Sequence, residues 1–200
     1  MRIAIDEFQP ALVSEHLCFT AHQGRHFHDL LPIPYTAEAL RHIVQRVRQV
    51  QETLERTVLI ENISRYFTFE ESNLSEAEFL AALCDETDCG LLLDINNAYV
   101  NHCNLGLDIA AFIAALPHGR IGEVHLAGHS EIDGLLVDTH SRPVCDEVWS
   151  WYRRFTEHHA HIPCLIEWDN DLPHWSVLLE QQRRAQAIID NAHEQYYACL

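Results

Sequence analysis

The chain has 200 residues, with 30 acidic and 13 basic side chains, so its formal net charge is −17. All 13 basic residues are arginine, and the absence of lysine excludes a lysine Schiff base, a P-loop lysine and a kinase-type catalytic lysine. The negative charge argues against binding along a nucleic-acid backbone or on an anionic membrane surface. The apolar fraction of 48% is ordinary for a globular domain, and no apolar run approaches the roughly 20 residues that span a membrane.

The spacing of the cysteines and the first seven residues indicate the cellular compartment. The seven cysteines are odd in number and form no C-x-x-C pair, which predicts mostly reduced thiols in a cytoplasmic protein. These cysteines stand at positions 18, 84, 89, 103, 145, 164 and 199. The stretch Met1–Glu7 is too short and too acidic for a signal peptide. We predict one domain over residues 1–200.

Short apolar runs alternate with longer amphipathic stretches. In chain order, the predicted strands cover residues 11–14, 57–60, 90–93, 121–126 and 163–166. The predicted helices follow them, at about 36–56, 75–88, 108–116, 144–159 and 175–192. Thr36 and Asp108 are expected helix caps, and Ser75 with Glu78 matches the S-x-x-E capping box.

This alternation of strand and helix predicts an α/β fold around a parallel sheet. Most of the strands are nearly continuous apolar runs, as expected when both faces of a sheet are buried. A doubly wound open sheet and a (β/α)8 barrel both fit the pattern. No G-x-G-x-x-G sequence follows a strand, so a dinucleotide-binding Rossmann unit gains no support.

Carboxylate, imidazole and amide side chains recur where the predicted strands end. The nine candidates are His16, Glu61, Asp94, Asn97, His125, His129, Asp138, His140 and Glu167. In a barrel the carboxyl ends of the strands converge on one face, and converging carboxylates repel unless cations are bound. Oxygen and imidazole ligands favour Fe(II), Mn(II), Zn(II) or Co(II), and nine ligands suit two or three ions. Asp138 and His140 are two residues apart, so an extended segment would point both the same way.

Each of these features also has a simpler interpretation. A single acidic residue after a strand is usually a helix cap or a solvated loop residue, and His16 alone could be a hydrogen-bonded core histidine. The histidines at 158, 159 and 161 suit the exposed end of a polar helix. Cys84 and Cys89 suit packing. The metal hypothesis depends on all five strand ends carrying the same chemistry together.

Several runs closely resemble the multinuclear non-heme iron-dependent oxidative enzymes, a family that includes the catalytic B subunit of methanobactin biosynthesis. The resemblance extends from about residue 8 to 180. Its runs are PALVSEH at 10–16, HDLLPIPYT at 28–36, LLDINNAYV at 92–100, HLAGH at 125–129, DTH at 138–140 and LIEWD at 165–169.

The resemblance implies a TIM-like (β/α)8 barrel with two or three non-heme irons. One iron would be held by His16 and Glu61, and Glu61 would bridge to a second. Asp94, His125 and Glu167 would share the second iron with Glu61. Asn97, His129, Asp138 and His140 would hold the third. The implied reaction is O2-dependent oxidation of cysteine residues in a ribosomally made precursor peptide. A separate partner protein would present that peptide.

The beginning of the chain departs from the family pattern. Family members carry about two more βα units, including a histidine on an early strand, before the Ser-Glu-His strand. A TIM barrel typically needs about 250 residues, so the resemblance implies an incomplete barrel. Two other hypotheses remain open: a TIM-barrel metalloenzyme of the sugar isomerase or phosphodiester hydrolase type, and a truncated remnant without catalysis.

Overall fold

The computed structural model describes residues 1–198, with side chains as far as residue 194. Its strands are, in chain order, β1 (Ser14–His16), β2 (Phe19–His22), β3 (Arg25–Leu31), β4 (Leu59–Glu61), β5 (Gly90–Asp94), β6 (Ile121–Leu126), β7 (Ser130–Ile132), β8 (Leu135–Val137) and β9 (Cys164–Ile166). Its helices are α1 (Arg2–Phe8), α2 (Ala37–Leu54), α3 (Glu76–Thr87), α4 (Ile95–Leu105), α5 (Ile109–Ala115), α6 (Asp146–His159) and α7 (Trp175–Ala198). A short 3-10 helix, His118–Arg120, precedes β6.

The central sheet contains five parallel strands in the order β1-β4-β5-β6-β9. Each strand therefore pairs with the next parallel strand along the chain, and a helix lies in every crossover. A doubly wound sheet reverses its strand order at a switch point, and this sheet does not, so the order favours the progression of a barrel. Within the described residues β1 and β9 are edge strands, and the assignment to an incomplete TIM-like barrel stays a prediction.

The two faces of the central sheet have different chemistry. Ile60, Leu93 and Val124 belong to the same hydrophobic core as residues of α2, α3 and α6. Successive side chains of a strand point to opposite faces. Glu61 and His125 therefore point to the other face, where the carboxyl ends of the strands carry polar groups. The register supports this arrangement, because it pairs His16 with Glu61 and Asp94 with His125.

The predicted α/β alternation is confirmed, and most element boundaries lie within two residues of the prediction. Thr36 and Asp108 accept hydrogen bonds as helix caps, from the amides of Ala39 and Ala111. The first strand was placed wrongly, since it covers 14–16 rather than 11–14.

Seven elements were missed by the sequence analysis. They are α1, the hairpin β2–β3, helix α4, the 3-10 helix and the hairpin β7–β8. The two hairpins lie outside the central sheet, and β2, β3 and β7 are mostly exposed. β8 is apolar, but its three residues are too few to indicate a separate strand.

The capping box at the start of α3 offers a test of local helix stability. The Ser75 hydroxyl oxygen accepts from the Glu78 amide at 3.2 Å, and the Glu78 carboxylate accepts from the Ser75 amide at 2.8 Å. We expect Ser75→Ala to lower the free energy of unfolding by about 1 kcal/mol, measured as a shifted urea midpoint. Ser75→Thr retains the hydroxyl and should match the parent; an equal loss in both variants would contradict a capping effect.

Two further predictions concern membrane-spanning segments and the state of the cysteines. No helix among the described residues is long and apolar enough to cross a membrane. The cysteines at 18, 84, 89, 103, 145 and 164 are free thiols, as predicted, and Cys199 lies outside the described residues. The cytoplasmic location stays a prediction.

Candidate metal centre

Four strand ends bring their polar side chains to one point. Glu61 of β4, Asp94 of β5, His125 of β6 and Glu167 just after β9 each offer one ligand atom, and these atoms all lie within 4.8 Å of one another. We call these four residues the central group. His16 of β1 adjoins it, with Nε2 3.3 Å from Oε2 of Glu61. All five parallel strands thus contribute to one cluster, as expected where parallel strands end together.

Asn62 holds two of these strand ends in place. Its side-chain amide donates to the Asp94 carbonyl at 2.9 Å, and its side-chain oxygen accepts from the Asp94 amide at 3.0 Å. The side chain of Asn97 donates to the Asn62 carbonyl at 3.0 Å. Because Asn62 directly follows Glu61, this set of bonds sets the distance between the Glu61 and Asp94 carboxylates.

Asp94 acts as a helix cap with one oxygen only. Its Oδ1 accepts from the Asn97 amide at 2.6 Å and caps α4. Its Oδ2 is buried and has no hydrogen-bond partner. The helix-cap interpretation of this residue is therefore correct for Oδ1. Oδ2 remains available as a metal ligand.

Three more buried atoms of the cluster lack a hydrogen-bond partner: Oδ1 of Asn97, Nδ1 of His125 and Nε2 of His140. Nδ1 of His125 lies 3.2 Å from Oε2 of Glu167, but the two are not aligned for a hydrogen bond. Buried polar groups are almost always paired, so four unpaired atoms in one cluster require an explanation. Bound cations would give such atoms partners.

A second group lies beside the first and shares Glu167 with it. It consists of His140, Glu167 and Asp169. Nδ1 of His140 donates to Oδ2 of Asp169 at 3.1 Å, which assigns the ring proton to Nδ1 in the neutral imidazole and leaves a lone pair on Nε2. That Nε2 lies 2.7 Å from Oδ1 of Asp138 without hydrogen-bond alignment. A carboxylate on the far nitrogen of a histidine is a common arrangement around bound metals.

Asn96 connects the remaining predicted ligands. It is fully buried, its Nδ2 donates to Oδ1 of Asp138 at 2.7 Å, and its Oδ1 lies 2.8 Å from Nδ1 of His129. The His129 ring also packs near Tyr99, with 5.4 Å between the ring centroids. Asn96 therefore orients Asp138 and His129 together.

The acidic side chains of the cluster lie close enough together to shift one another's pKa values. Burial, followed by the nearby Glu167 and Asp138 carboxylates, raises the pKa of Glu61 to about 7. Burial and the carboxylates of Glu61 and Asp138 raise the pKa of Asp94 well above its usual value. Burial opposes the charging of His140, but Asp138 outweighs it and raises the histidine pKa to about 10. Among the described residues, no arginine forms an ion pair with these carboxylates.

The nine predicted ligands lie in one connected cluster, but not equally close together. Seven of them belong to the two groups or touch them directly: Glu61, Asp94, His125, Glu167, His140, His16 and Asp138. His129 and Asn97 are linked to the cluster through hydrogen bonds. Their role as metal ligands stays a prediction.

One sequence argument about this cluster was wrong. His140 has a left-handed backbone conformation, with φ of 46°, so residues 138–140 are not an extended segment. The side chains of Asp138 and His140 meet because the backbone turns there.

Sequence analysis missed two residues of the cluster, Asp169 and Asn96. Asp169 follows Glu167 at the same strand end, and that repeated chemistry was a usable signal. Asn96 had no comparable signal, because the sequence does not distinguish it from the adjacent Asn97. Only the orientation of α4 decides which of the two side chains contacts Asp138 and His129.

The donor set fits a hard or borderline divalent metal. Imidazole and carboxylate groups surround the unpaired atoms, and neither group includes a cysteine. Such ligands suit Fe(II), Mn(II), Zn(II) and Co(II) better than soft ions. A bound cation would also reduce the repulsion among the carboxylates.

Asn96 offers a test of how the cluster is oriented. We expect Asn96→Ala to weaken Fe(II) binding by about 10–100-fold, because Asp138 and His129 lose the side chain that aims them. Binding is measured anaerobically in competition with a chelator. Asn191→Ala, an exposed asparagine on α7, is the control and should bind like the parent. Equal affinity in the parent and Asn96→Ala would show that Asn96 does not orient ligands.

Comparison with known proteins identifies similar sequences. A protein-family model described as "RiPP precursor modification enzyme MbnB/TglH/ChrH" matches residues 1–190. A UPF0276 protein of Chromobacterium violaceum is 50% identical over 194 residues, which cover 97% of this chain and 70% of that relative. A UPF0276 protein of Anaeromyxobacter sp. is 48% identical over 180 residues, covering 90% of this chain and 64% of the relative.

A third relative, a UPF0276 protein of Acaryochloris marina, is 46% identical over 184 residues, covering 92% of this chain and 67% of its own length. The chain therefore spans about two thirds of the length of the relatives that it matches.

Proposed function

Because the chain belongs to the MbnB/TglH/ChrH family of RiPP precursor modification enzymes, we propose that it binds two or three non-heme irons and modifies a peptide. The substrate is a ribosomally made precursor peptide, and the reaction is an O2-dependent oxidation of its cysteine residues. The observation that carries this proposal is the set of four unpaired buried atoms among carboxylates that no described arginine neutralises.

The proposed ligands divide into those of the central group and those around His140. His16 and Glu61 would hold one iron, and Glu61 with Asp94, His125 and Glu167 would hold a second. Asn97, His129, Asp138 and His140 would hold a third. When bound, the irons supply the electron transfer to O2 and the site for a substrate thiolate.

Other residues of the chain orient these ligands. Asp169 keeps the proton of neutral His140 on Nδ1, so that Nε2 presents its lone pair to the cluster. Asn62 sets the spacing of the buried Glu61 and Asp94 carboxylates. Such support is typical of metal sites, where the partners of the ligands fix their orientation. A peptide-presenting partner protein remains part of the proposal.

Iron content and O2 consumption test the proposal. The full chain is purified without O2, reconstituted with Fe(II), desalted and analysed for metal. We expect two or three irons per chain, and O2 uptake that depends on a synthetic peptide with one cysteine rather than its serine counterpart. Fewer than one iron per chain would contradict the proposal for this chain.

The same experiment separates the other hypotheses. Activity with Zn(II) but not Fe(II), without O2 uptake, would favour a sugar isomerase or phosphodiester hydrolase type of enzyme. The third hypothesis is a remnant without catalysis that binds metal or a partner. A cooperative unfolding transition that metal shifts to higher temperature would argue against a bare remnant, and O2 uptake that depends on the peptide would contradict a remnant without catalysis.

A further inference from the structure

Two histidines from different connections meet at the end of the sheet opposite to the candidate metal centre. His118 lies in the 3-10 helix directly before β6, and His159 is the last residue of α6, shortly before β9. Both connections lead into the amino ends of parallel strands, whereas the central group lies at the carboxyl ends. The pair is therefore separate from the site described above.

The hydrogen bonds of His118 leave one nitrogen available. Its Nε2 lies 2.8 Å from the carbonyl oxygen of Ile113, and a carbonyl can only accept, so Nε2 carries the proton in the neutral ring. Its Nδ1 therefore carries the lone pair, which accepts a hydrogen bond from Nε2 of His159 at 2.7 Å in the absence of an ion. The pair either shares one proton or shares a cation.

Two more histidines surround the pair. The rings of His161 and His158 lie 6.3 and 6.5 Å from the ring of His159, measured between centroids, and both side chains are exposed. The ring of Phe155 stacks on His159 at 4.7 Å and holds its plane. Burial, and then the neighbouring histidines, lower the pKa of His159 and so favour its neutral ring, the form that binds metals.

We propose that His118, His159 and His161 form a second metal site, which takes a divalent, imidazole-preferring ion such as Zn²⁺. Imidazole nitrogens are good ligands for zinc, at bond lengths of about 2.0–2.1 Å. In a tetrahedral site those bonds place two ligand nitrogens about 3.3 Å apart and two ring centroids about 5 Å apart.

The spacings of His118 and His159 are shorter than these values, and the spacing of His159 and His161 is longer. The nitrogens of His118 and His159 are 2.7 Å apart and their ring centroids 4.7 Å, so a small outward shift opens room for an ion. The exposed ring of His161 must move inward by a rotation about its side-chain bonds. His161 suits this better than His158, because it lies in the turn after α6 and not within the helix. Water completes the coordination.

The site has a structural consequence. An ion bound there would join the α5–β6 connection to the α6–β9 connection, and so hold together the amino ends of two paired strands. The carbonyl of Ile113 orients His118 as the partner groups of metal-bound histidines commonly do.

Zinc counting in matched variants tests the proposal. The full chain is loaded with excess Zn²⁺, desalted and analysed, and we expect one zinc fewer per chain in His118→Asn and in His159→Asn than in the parent. His161→Asn alters an exposed side chain and so is expected to fold; its affinity at this site should fall by about tenfold or more. His42→Asn, an exposed histidine on α2, should bind zinc like the parent.

A further variant distinguishes zinc bound by the candidate metal centre from zinc bound by the three histidines. Asp94→Asn should lose zinc from the central group while it retains the zinc held by the histidines, so failure of either site is recognised independently. Equal zinc content in the parent, His118→Asn and His159→Asn would overturn the proposal and leave a hydrogen-bonded histidine pair. An unchanged affinity in His161→Asn would overturn the three-histidine assignment.

Discussion

Replacement of Asp94 by asparagine is expected to abolish tight metal binding by the central group and to stabilise the metal-free protein. Asp94 is fully buried, and one of its oxygens faces the cluster without a partner. The asparagine oxygen can still cap α4, because asparagine and aspartate are equally good caps. The variant therefore removes a charge and a ligand while the local fold is kept.

The two effects have opposite signs because the same carboxylate has two roles. Without metal, burial and the nearby Glu61 and Asp138 disfavour the charged form of this carboxyl and raise its pKa, so at neutral pH the folded protein bears the cost of protonating it. Asparagine has no such cost, and the replacement should raise the free energy of unfolding by about 1–3 kcal/mol. With metal, loss of a ligand should weaken binding by more than about 100-fold. That weakening removes about 2.7 kcal/mol of metal-dependent stabilisation when metal is in excess.

Urea unfolding with and without Fe(II), under anaerobic conditions, measures both effects. Asp108→Asn is the matched control, because Asp108 caps α5 in the same way and lies outside both groups. It should alter neither the metal dependence nor the stability appreciably. A metal-free Asp94→Asn protein that is less stable than the parent would contradict the idea that this carboxylate is unfavourable without a cation.

Removal of the Glu76 side chain is expected to lower the free energy of unfolding by about 3–5 kcal/mol. Glu76 and Arg65 form a buried ion pair, with Nη2 of Arg65 donating to Oε2 at 2.9 Å. The Tyr35 hydroxyl donates to the other carboxylate oxygen at 3.0 Å, and the guanidinium lies 5.3 Å from the Tyr35 ring centroid. Glu76→Ala would leave the Arg65 charge buried with no carboxylate partner.

The size of this effect depends on the burial of the ion pair. An exposed ion pair of the same protein is the control. Arg48 and Glu86 also form an ion pair, with 3.2 Å between Nη2 and Oε2, but both side chains are more than half exposed. Glu86→Ala should cost less than about 1 kcal/mol. Both losses are measured by urea unfolding. Similar losses in the two variants would contradict the burial argument.

A double variant identifies the uncompensated charge as the cause. Arg65→Met in the Glu76→Ala protein removes the remaining charge and should recover part of the lost stability. No recovery would show that lost packing dominates. The pair also concerns the candidate metal centre, because Ser64, next to Arg65, lies 3.4 Å from the Asp138 carboxylate. We therefore expect weaker metal binding in Glu76→Ala as well.

Much of the fold was predictable because its signals are local. The capping residues Thr36, Ser75 and Asp108 act as predicted, since a cap needs only a side chain and the amides that follow it. The apolar runs of β5 and β6 identified buried strands for the same reason. Helix α4 was missed because its first turn, Ile95–Asn97, looked like a continuation of a strand end rather than a helix.

Much of the candidate site was also predictable, but only as a set of residues. Glu61, Asp94, His125 and Glu167 were recognised because each follows or ends a strand, and the ends of parallel strands lie together. Which atoms meet was not predictable. Asn96 and Asn97 are neighbours in α4, and successive residues of a helix point about 100° apart, so the two asparagines contact different partners.

The sequence by itself determined the α/β class, the main helix caps and the chemistry at the strand ends, because these depend on residue type and short-range spacing. The tertiary structure decided the order of the strands, the pairing of His16 with Glu61, and the partner of each carboxylate oxygen. It also brought His118 and His159 together from distant segments. Contacts of this kind depend on the packing of the whole domain, so no local pattern in the chain specifies them.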